Sequence, residues 1–226
     1  MKKRIIAFIV VVIAVIAVFI GYNVISGSSS KNSSKSSSRS SNSNNSQSSK
    51  TAKPTVSKKG KNLIVYFSRK DGVSDGPLKV GHTKVIANFI HQKIGGDVYE
   101  IIPAKDYPKG FQATADQAEK EQKDDARPKI KNKLPDVNKY DNIFIGSPIW
   151  WGGYPMVVRT FLDNVKLNNK NVFPFVTHKG SGMGDTEETL KNQFPKAKIS
   201  DGLAVEGTAA EQSRKDVDEW LSKLGF

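Results

Sequence analysis

Cysteine is absent from all 226 residues. That excludes disulfides, cysteine-ligated zinc, iron–sulfur clusters, covalent haem attachment and thiol catalysis in one step. Histidine is scarce, with three in the chain and no pair at ligand spacing, so no metal site is expected. No Ser-His-Asp ordering suggests a hydrolytic triad, and no catalytic side chain is assigned. Acidic residues are missing from positions 1–60, which hold ten of the 35 Lys and Arg and none of the 22 Asp and Glu. The net charge of +13 therefore belongs mostly to that segment, and residues 61–226 carry 25 basic against 22 acidic side chains, or +3. A nearly neutral folded part has no need of a polyanionic partner. With no zinc-finger spacing and no basic helix carrying interleaved aromatics, nucleic-acid binding is not expected.

The N-terminus divides into a basic end, an apolar run and a polar tether. Met1–Arg4 includes Lys2, Lys3 and Arg4, and residues 5–20 are sixteen uninterrupted apolar side chains. Extended to residue 25, this segment as a helix would span about 30 Å, enough for a bilayer core. A cleaved signal is the alternative reading, but its apolar region is usually shorter and followed by small residues. The expectation is an uncleaved transmembrane anchor over 5–25, with the basic end in the cytoplasm and the remainder exported. Residues 26–60 are Ser, Asn and Lys with hardly an apolar side chain among them. They cannot bury enough surface to offset the entropy of ordering, and a disordered linker reaching on the order of 30 Å is expected.

Residues 61–226 alternate strand and helix patterns. The run 62–67 is continuously apolar and β-rich, as in a strand covered on both faces. In 82–96 Val85, Ile86, Phe89, Ile90 and Ile94 keep helical spacing before Gly95 and Gly96 end it. A second strand follows at 97–102, then a charged helix at 111–126 lying outside the sheet and an extended stretch to Pro135. Residues 141–148 read as a third strand, 154–165 as a helix with Pro155 in its first turn, and 171–177 as a fourth strand. A helix at 185–194, a last strand at 197–205 and a final helix at 208–225 complete the domain. Such alternation predicts an α/β fold, a parallel sheet with helices on both faces. In such sheets ligands bind beyond the carboxyl ends of the strands. The polar, glycine-rich stretches 68–81 (ending GHTK after its Val80), 147–155 (SPIWWGGYP) and 177–184 (THKGSGMG) all follow strands at that end.

Three loops of this kind in this order resemble the flavodoxins, and more closely the short flavodoxin-like proteins with SPIWWGGYP-type and THKGSGMG-type loops, over residues 61–226. The resemblance implies a flavodoxin-like three-layer sandwich, a five-stranded parallel sheet in the order 2-1-3-4-5, and one FMN held by the three loops. In the family the first loop wraps the FMN phosphate, which implies contacts from Ser68, Gly81, His82, Thr83 and Lys84. Backbone N–H groups, hydroxyls and a positive helix end suit a phosphate. This chain departs from the pattern by placing twelve residues, 69–80, between Ser68 and Gly81, either an ordered loop over the phosphate or a partner-docking excursion, and by having His82 where Asn is common. The second loop implies Trp150 over one face of the isoalloxazine ring with Trp151 flanking it, and Ser147, Pro148, Ile149, Gly152 and Gly153 beside the ring. The alternative is that both tryptophans plug the end of the sheet. In the third loop Thr177, His178, Ser181 and Met183 are placed against the ring's carbonyl edge or the ribityl chain, with Gly180 and Gly182 allowing close backbone approach. No tyrosine stands there, so the second flavin face is left to Met183 or His178, or open to a partner.

Flavin itself would carry the chemistry, with the protein supplying binding and electrostatics. The leading expectation is a monomeric FMN-binding electron carrier tethered to the outer face of the cell membrane. It would exchange electrons with donor and acceptor proteins or quinones. An FMN-dependent NAD(P)H or quinone reductase on the same fold and a flavin-free docking domain are the alternatives. The charged residues near the loops are of mixed sign, Arg69, Lys70, Lys79, Lys84, Arg159 and Lys179 beside Asp71, Asp75, Asp185, Glu187 and Glu188. This departs from the acidic rim usual in flavodoxins and argues against docking to a basic partner alone.

Overall fold

The structure is a computed structural model that describes residues 60–226. The expected basic end at 1–4, the span at 5–25 and all but the last residue of the linker at 26–60 lie outside the described residues. Among the described residues no helix is long and apolar enough to cross a membrane.

The strands are β1 (Asn62–Tyr66), β2 (Asp97–Glu100), β3 (Asn142–Pro148), β4 (Asn171–His178), β5 (Lys198–Ile199) and β6 (Leu203–Glu206). The helices are α1 (His82–Ile94), α2 (Phe111–Lys123), α3 (Met156–Asp163), α4 (Thr186–Gln193) and α5 (Arg214–Leu224). All strand pairs are parallel and run in the order β2-β1-β3-β4-β5, with β6 also on β4. The 2-1-3-4-5 order is the expected one.

Alternation along β1 builds the two cores. Leu63, Val65 and Phe67 enter one cluster with Ile143, Ile145, Phe161 and Leu190, beneath α3 and α4. Ile64 and Tyr66 enter the other with Ile86, Ile90, Phe144, Phe173 and Leu221, beneath α1 and α5. Because both faces are covered, the central strands can be apolar throughout, which is why they read as continuous runs. Asn142 holds the opposite end of the sheet together: its amide donates to Asn62 Oδ1 at 2.9 Å and its own carbonyl oxygen accepts from Asn171 at 2.8 Å.

The second strand and the 111–126 and 154–165 helices are two to four residues shorter than expected, and two elements differ more substantially. The last strand, expected unbroken over 197–205, is split into β5 and β6. β5 pairs with Asn171 and Val172, and β6 pairs with β4 from Phe175 to His178. Between them Pro174 turns its carbonyl toward Gly202. Proline has no N–H to offer on that side, so after the Ser200 N–H has donated to the Val172 carbonyl at 3.0 Å, residues 201–202 leave the ladder and find other partners. The Gly202 N–H donates to Glu187 at 2.8 Å, and the Asp201 carbonyl accepts from the Trp220 indole at 3.1 Å. The final helix starts at Arg214 rather than 208, because Gly207–Gln212 forms a 3₁₀ segment that runs into it.

Candidate ligand site

At the carboxyl ends of β1, β3, β4 and β6 lies a cavity of about 320 Å³, within the size range of small-molecule sites. Its composition is two-ended. Ile149, Trp150, Trp151, Phe111, Ala115 and Ala118 supply an apolar, aromatic side, and Ser74, Asp75, His82, Lys179, Glu206 and Thr208 supply a polar, charged one.

The aromatic side depends on a two-residue hairpin. Trp150 and Gly153 exchange both backbone hydrogen bonds at 3.0 Å. The central residues Trp151 and Gly152 have φ of 48° and 86°. Positive φ at both positions defines the type I′ turn, which glycine adopts freely and tryptophan only at a cost. The turn sends the two rings in different directions. Trp150 is half-buried and packs edge-on with Phe67 and Tyr107, at centroid separations of 5.5 and 5.0 Å. Trp151 is 53% exposed, and its indole N–H donates to the Ala115 carbonyl at 3.0 Å. Gln122 returns a bond to the Trp151 carbonyl at 3.2 Å. Trp150 is thus a core residue that also lines the cavity, and Trp151 stands at the cavity mouth against α2.

The polar side gathers at the start of α1. Gly81 precedes the helix in extended conformation, so close to the chain that a Cβ there would strike Ser68 Oγ and the Arg69 carbonyl. Ser68 Oγ accepts from the Lys84 N–H at 3.1 Å, closing the first turn. Thr83 Oγ1 lies 2.8 Å from Thr177 Oγ1 in a buried contact that ties α1 to β4. Ser147, fully buried at the end of β3 and outside the cavity wall, has a hydroxyl with no hydrogen-bond partner among the described residues.

His82, Pro148, Ile149, Trp150, Trp151, Thr177 and His178 line the cavity. Ser68, Gly81 and Thr83 support its floor through the contacts above. Lys84 is not among the lining residues: its ammonium donates to Glu100 at 2.9 Å and sits over the Tyr66 ring. The third helical residue faces the end of β2 from there, which withdraws this side chain from the expected contact set. Gly180, Ser181, Gly182 and Met183 also lie outside the cavity wall. Met183 packs its methyl group on Gly202, so of Met183 and His178 only His178 lines the cavity. Gly180 N–H donates to His178 Nδ1 at 2.9 Å and orients that imidazole. Gly152 and Gly153 shape the hairpin, and Gly153 abuts the Asp185 carboxylate. Burial pushes the Asp185 carboxyl above its ordinary value.

Three contributions to the wall come from outside the expected contact residues. Gly72, Val73, Ser74 and Asp75 come from the 69–80 insertion, Phe111, Thr114, Ala115 and Ala118 from α2, and Glu206, Gly207 and Thr208 from the end of β6. The α2 signal was available in sequence: Thr114 and Ala118 are four apart and both buried, a small-residue stripe in an otherwise charged helix.

A family model described as flavodoxin matches residues 61–224. Among solved structures, a candidate flavoprotein from Bacteroides eggerthii is 30% identical, aligning over 74% of this chain and 99% of that one with a TM-score of 0.61. A second, from Bacteroides uniformis, is 30% identical over 72% of this chain and 98% of its own, with a TM-score of 0.60. A flavoprotein from Lactobacillus acidophilus, solved in complex with FMN, shares the fold at 24% identity, over 68% and 98% of the two chains and a TM-score of 0.53. No match is found among curated proteins. On the family match over most of its length, together with the 2-1-3-4-5 sheet and the cavity at its carboxyl end, this chain belongs to the flavodoxin family.

Proposed function

We propose that the domain binds FMN in this cavity and serves as an electron carrier. The observation that carries the reading is the two-ended wall. Aromatic side chains suit a planar isoalloxazine ring, and the cations and hydroxyls around α1 suit a phosphate-bearing tail. Trp150, Trp151, Ile149 and His178 would hold the ring; Ser74, His82, Thr177, Lys179 and Thr208 would hold the tail. When bound, FMN supplies one- or two-electron transfer, and the protein's part is to orient the ring and set its electrostatics. The sixteen-residue apolar run and the polar linker support a tether at the outer face of a cell membrane as part of the same proposal.

Titrating the purified full chain with FMN, followed by absorbance and by quenching of flavin fluorescence, tests the binding step. The expected result is a yellow one-to-one complex. A chain that cannot be reconstituted with FMN overturns the reading. Sustained NADPH oxidation with a quinone by the loaded chain would move the assignment from carrier to reductase.

A further inference from the structure

The 69–80 insertion is built into the site rather than hung beside it. The Arg69 guanidinium fixes its base, donating to the Pro108 carbonyl at 2.7 Å, the Tyr107 carbonyl at 3.3 Å and Thr114 Oγ1 at 3.2 Å, and lying over the Tyr107 ring. The Leu78 N–H donates to the Lys70 carbonyl at 2.8 Å and closes the two limbs on each other. Between them the insertion sends Asp75 to Lys179, in the loop after β4, and to His82, at the start of α1. Lys179 Nζ is 3.5 Å from Asp75 Oδ1, and His82 Nε2 is 3.7 Å from Oδ2. Ser74 joins the cluster, donating to Asp75 at 2.7 Å and accepting from Lys179 at 3.0 Å. Hydrogen bonding from Ser74, with further help from Lys179 and His82, holds the Asp75 carboxyl below its ordinary value, so it is anionic at neutral pH. Asp75, His82 and Lys179 all line the cavity, and Glu206 is the other carboxylate there.

We infer that Asp75 is a specificity-determining residue, an internal anion that competes with the phosphate of FMN for Lys179 and His82. The inference rests on the reading of the cavity as an FMN site. The aromatic and charged parts of the wall orient the ligand, so its phosphate meets the Lys179 ammonium and the His82 imidazole that Asp75 already engages. A phosphate monoester carries more negative charge and more acceptor oxygens than a carboxylate, so it can displace Asp75 from the pair, but it must overcome that contact and the repulsion of a carboxylate left nearby. Riboflavin has the same ring and ribityl chain without the phosphate, so it does not take part in this exchange. Asp75 therefore lowers the preference for the phosphorylated flavin, and Lys179 raises it.

Dissociation constants of the full chain for FMN and for riboflavin, measured side by side at low salt, test this. The substitution Asp75→Asn keeps the shape and removes the charge; it is expected to tighten FMN by about tenfold and to leave riboflavin within about twofold. Lys179→Met, at a side chain 68% exposed, is expected to weaken FMN by about tenfold with riboflavin again unchanged. Added salt should shrink both differences. Equal effects of Asp75→Asn on the two flavins, or weaker FMN binding, would overturn the inference and make Asp75 a fastening of the loop. If the unaltered chain binds neither flavin, the proposed function fails and the inference with it. If it binds FMN and neither substitution separates the two flavins, only the inference fails.

Discussion

Trp151 occupies a backbone position that glycine or asparagine fills at less cost. Its φ of 48° in the I′ turn carries a penalty on the order of 1 kcal/mol. Replacing it with Gly relieves that penalty but removes the bond to Ala115 and the ring at the cavity mouth. Denaturant unfolding of Trp151→Gly should therefore lie within about 1 kcal/mol of the unaltered protein. Flavin affinity should fall, and an affinity equal to the parent's would remove Trp151 from the site. Trp150→Ala is expected to behave differently, because that ring packs on Phe67 and Tyr107. A loss of about 2–3 kcal/mol in stability is expected, below the full cost of emptying a buried aromatic position because this ring is only half-buried. If Trp150 also stacks on the flavin, potentiometry should show a raised second reduction potential, since an electron-rich face disfavours the reduced anion. Gly81→Ala should cost about 1–3 kcal/mol from overpacking against Ser68 and the Arg69 backbone. In sequence Trp150 and Trp151 are an undifferentiated pair. Only the turn, which places one ring inward and the other outward, separates a core role from a mouth role.

Among the elements, the insertion and α2 are where the chain departs most from what its loops alone suggest. In sequence α2 reads as a charged helix outside the sheet, and the insertion leaves open a loop over the phosphate or a docking excursion. Arg69 joins them, since it leaves the insertion and ends on the turn before α2 and on Thr114 within it. Substituting Arg69 with Met should leave global unfolding nearly intact but loosen the insertion. Limited trypsin digestion would then cut after Lys70 or Lys79 faster than in the parent, and an unchanged digestion rate would show that the Lys179 and His82 contacts hold the loop without Arg69. The divided last strand has a similar origin in a partner element. Within 197–205 the Asp201-Gly202 pair is a turn signal at the point of division, and its partner cause lies at Pro174 in the neighbouring strand.

For the molecule as a whole, the charge ledger and the titrating groups set the pH range over which the fold keeps its stability. Tyr66, partly withdrawn from water and bonded to Glu100, is pushed up to about 12, and burial also raises Tyr99, Tyr107 and Tyr154. The contribution of a group whose pKa is raised on folding is complete below its unfolded value and is lost as pH climbs through the folded one. Stability should therefore fall between about pH 10 and 12. Tyr66→Phe should flatten part of that decline in urea titrations at fixed pH, and an identical slope would mean that Tyr66 ionises as freely folded as unfolded. At the acid end Asp75 is depressed, so its contribution is present above the ordinary 3.8 and disappears only as pH drops below that value.

Periodicity alone was enough for the α/β class, the first four strand positions and the end of the sheet where ligands gather, because central strands covered on both faces must be apolar and their carboxyl-end loops need not be. The three loops were legible as a set for the same reason. What only the tertiary structure decided was which side chains meet. Lys84 turns to Glu100, Met183 to Gly202, and Asp75 crosses to Lys179 more than a hundred residues away. Those outcomes depend on where separate elements converge in space, and local spacing carries no information about partners that distant.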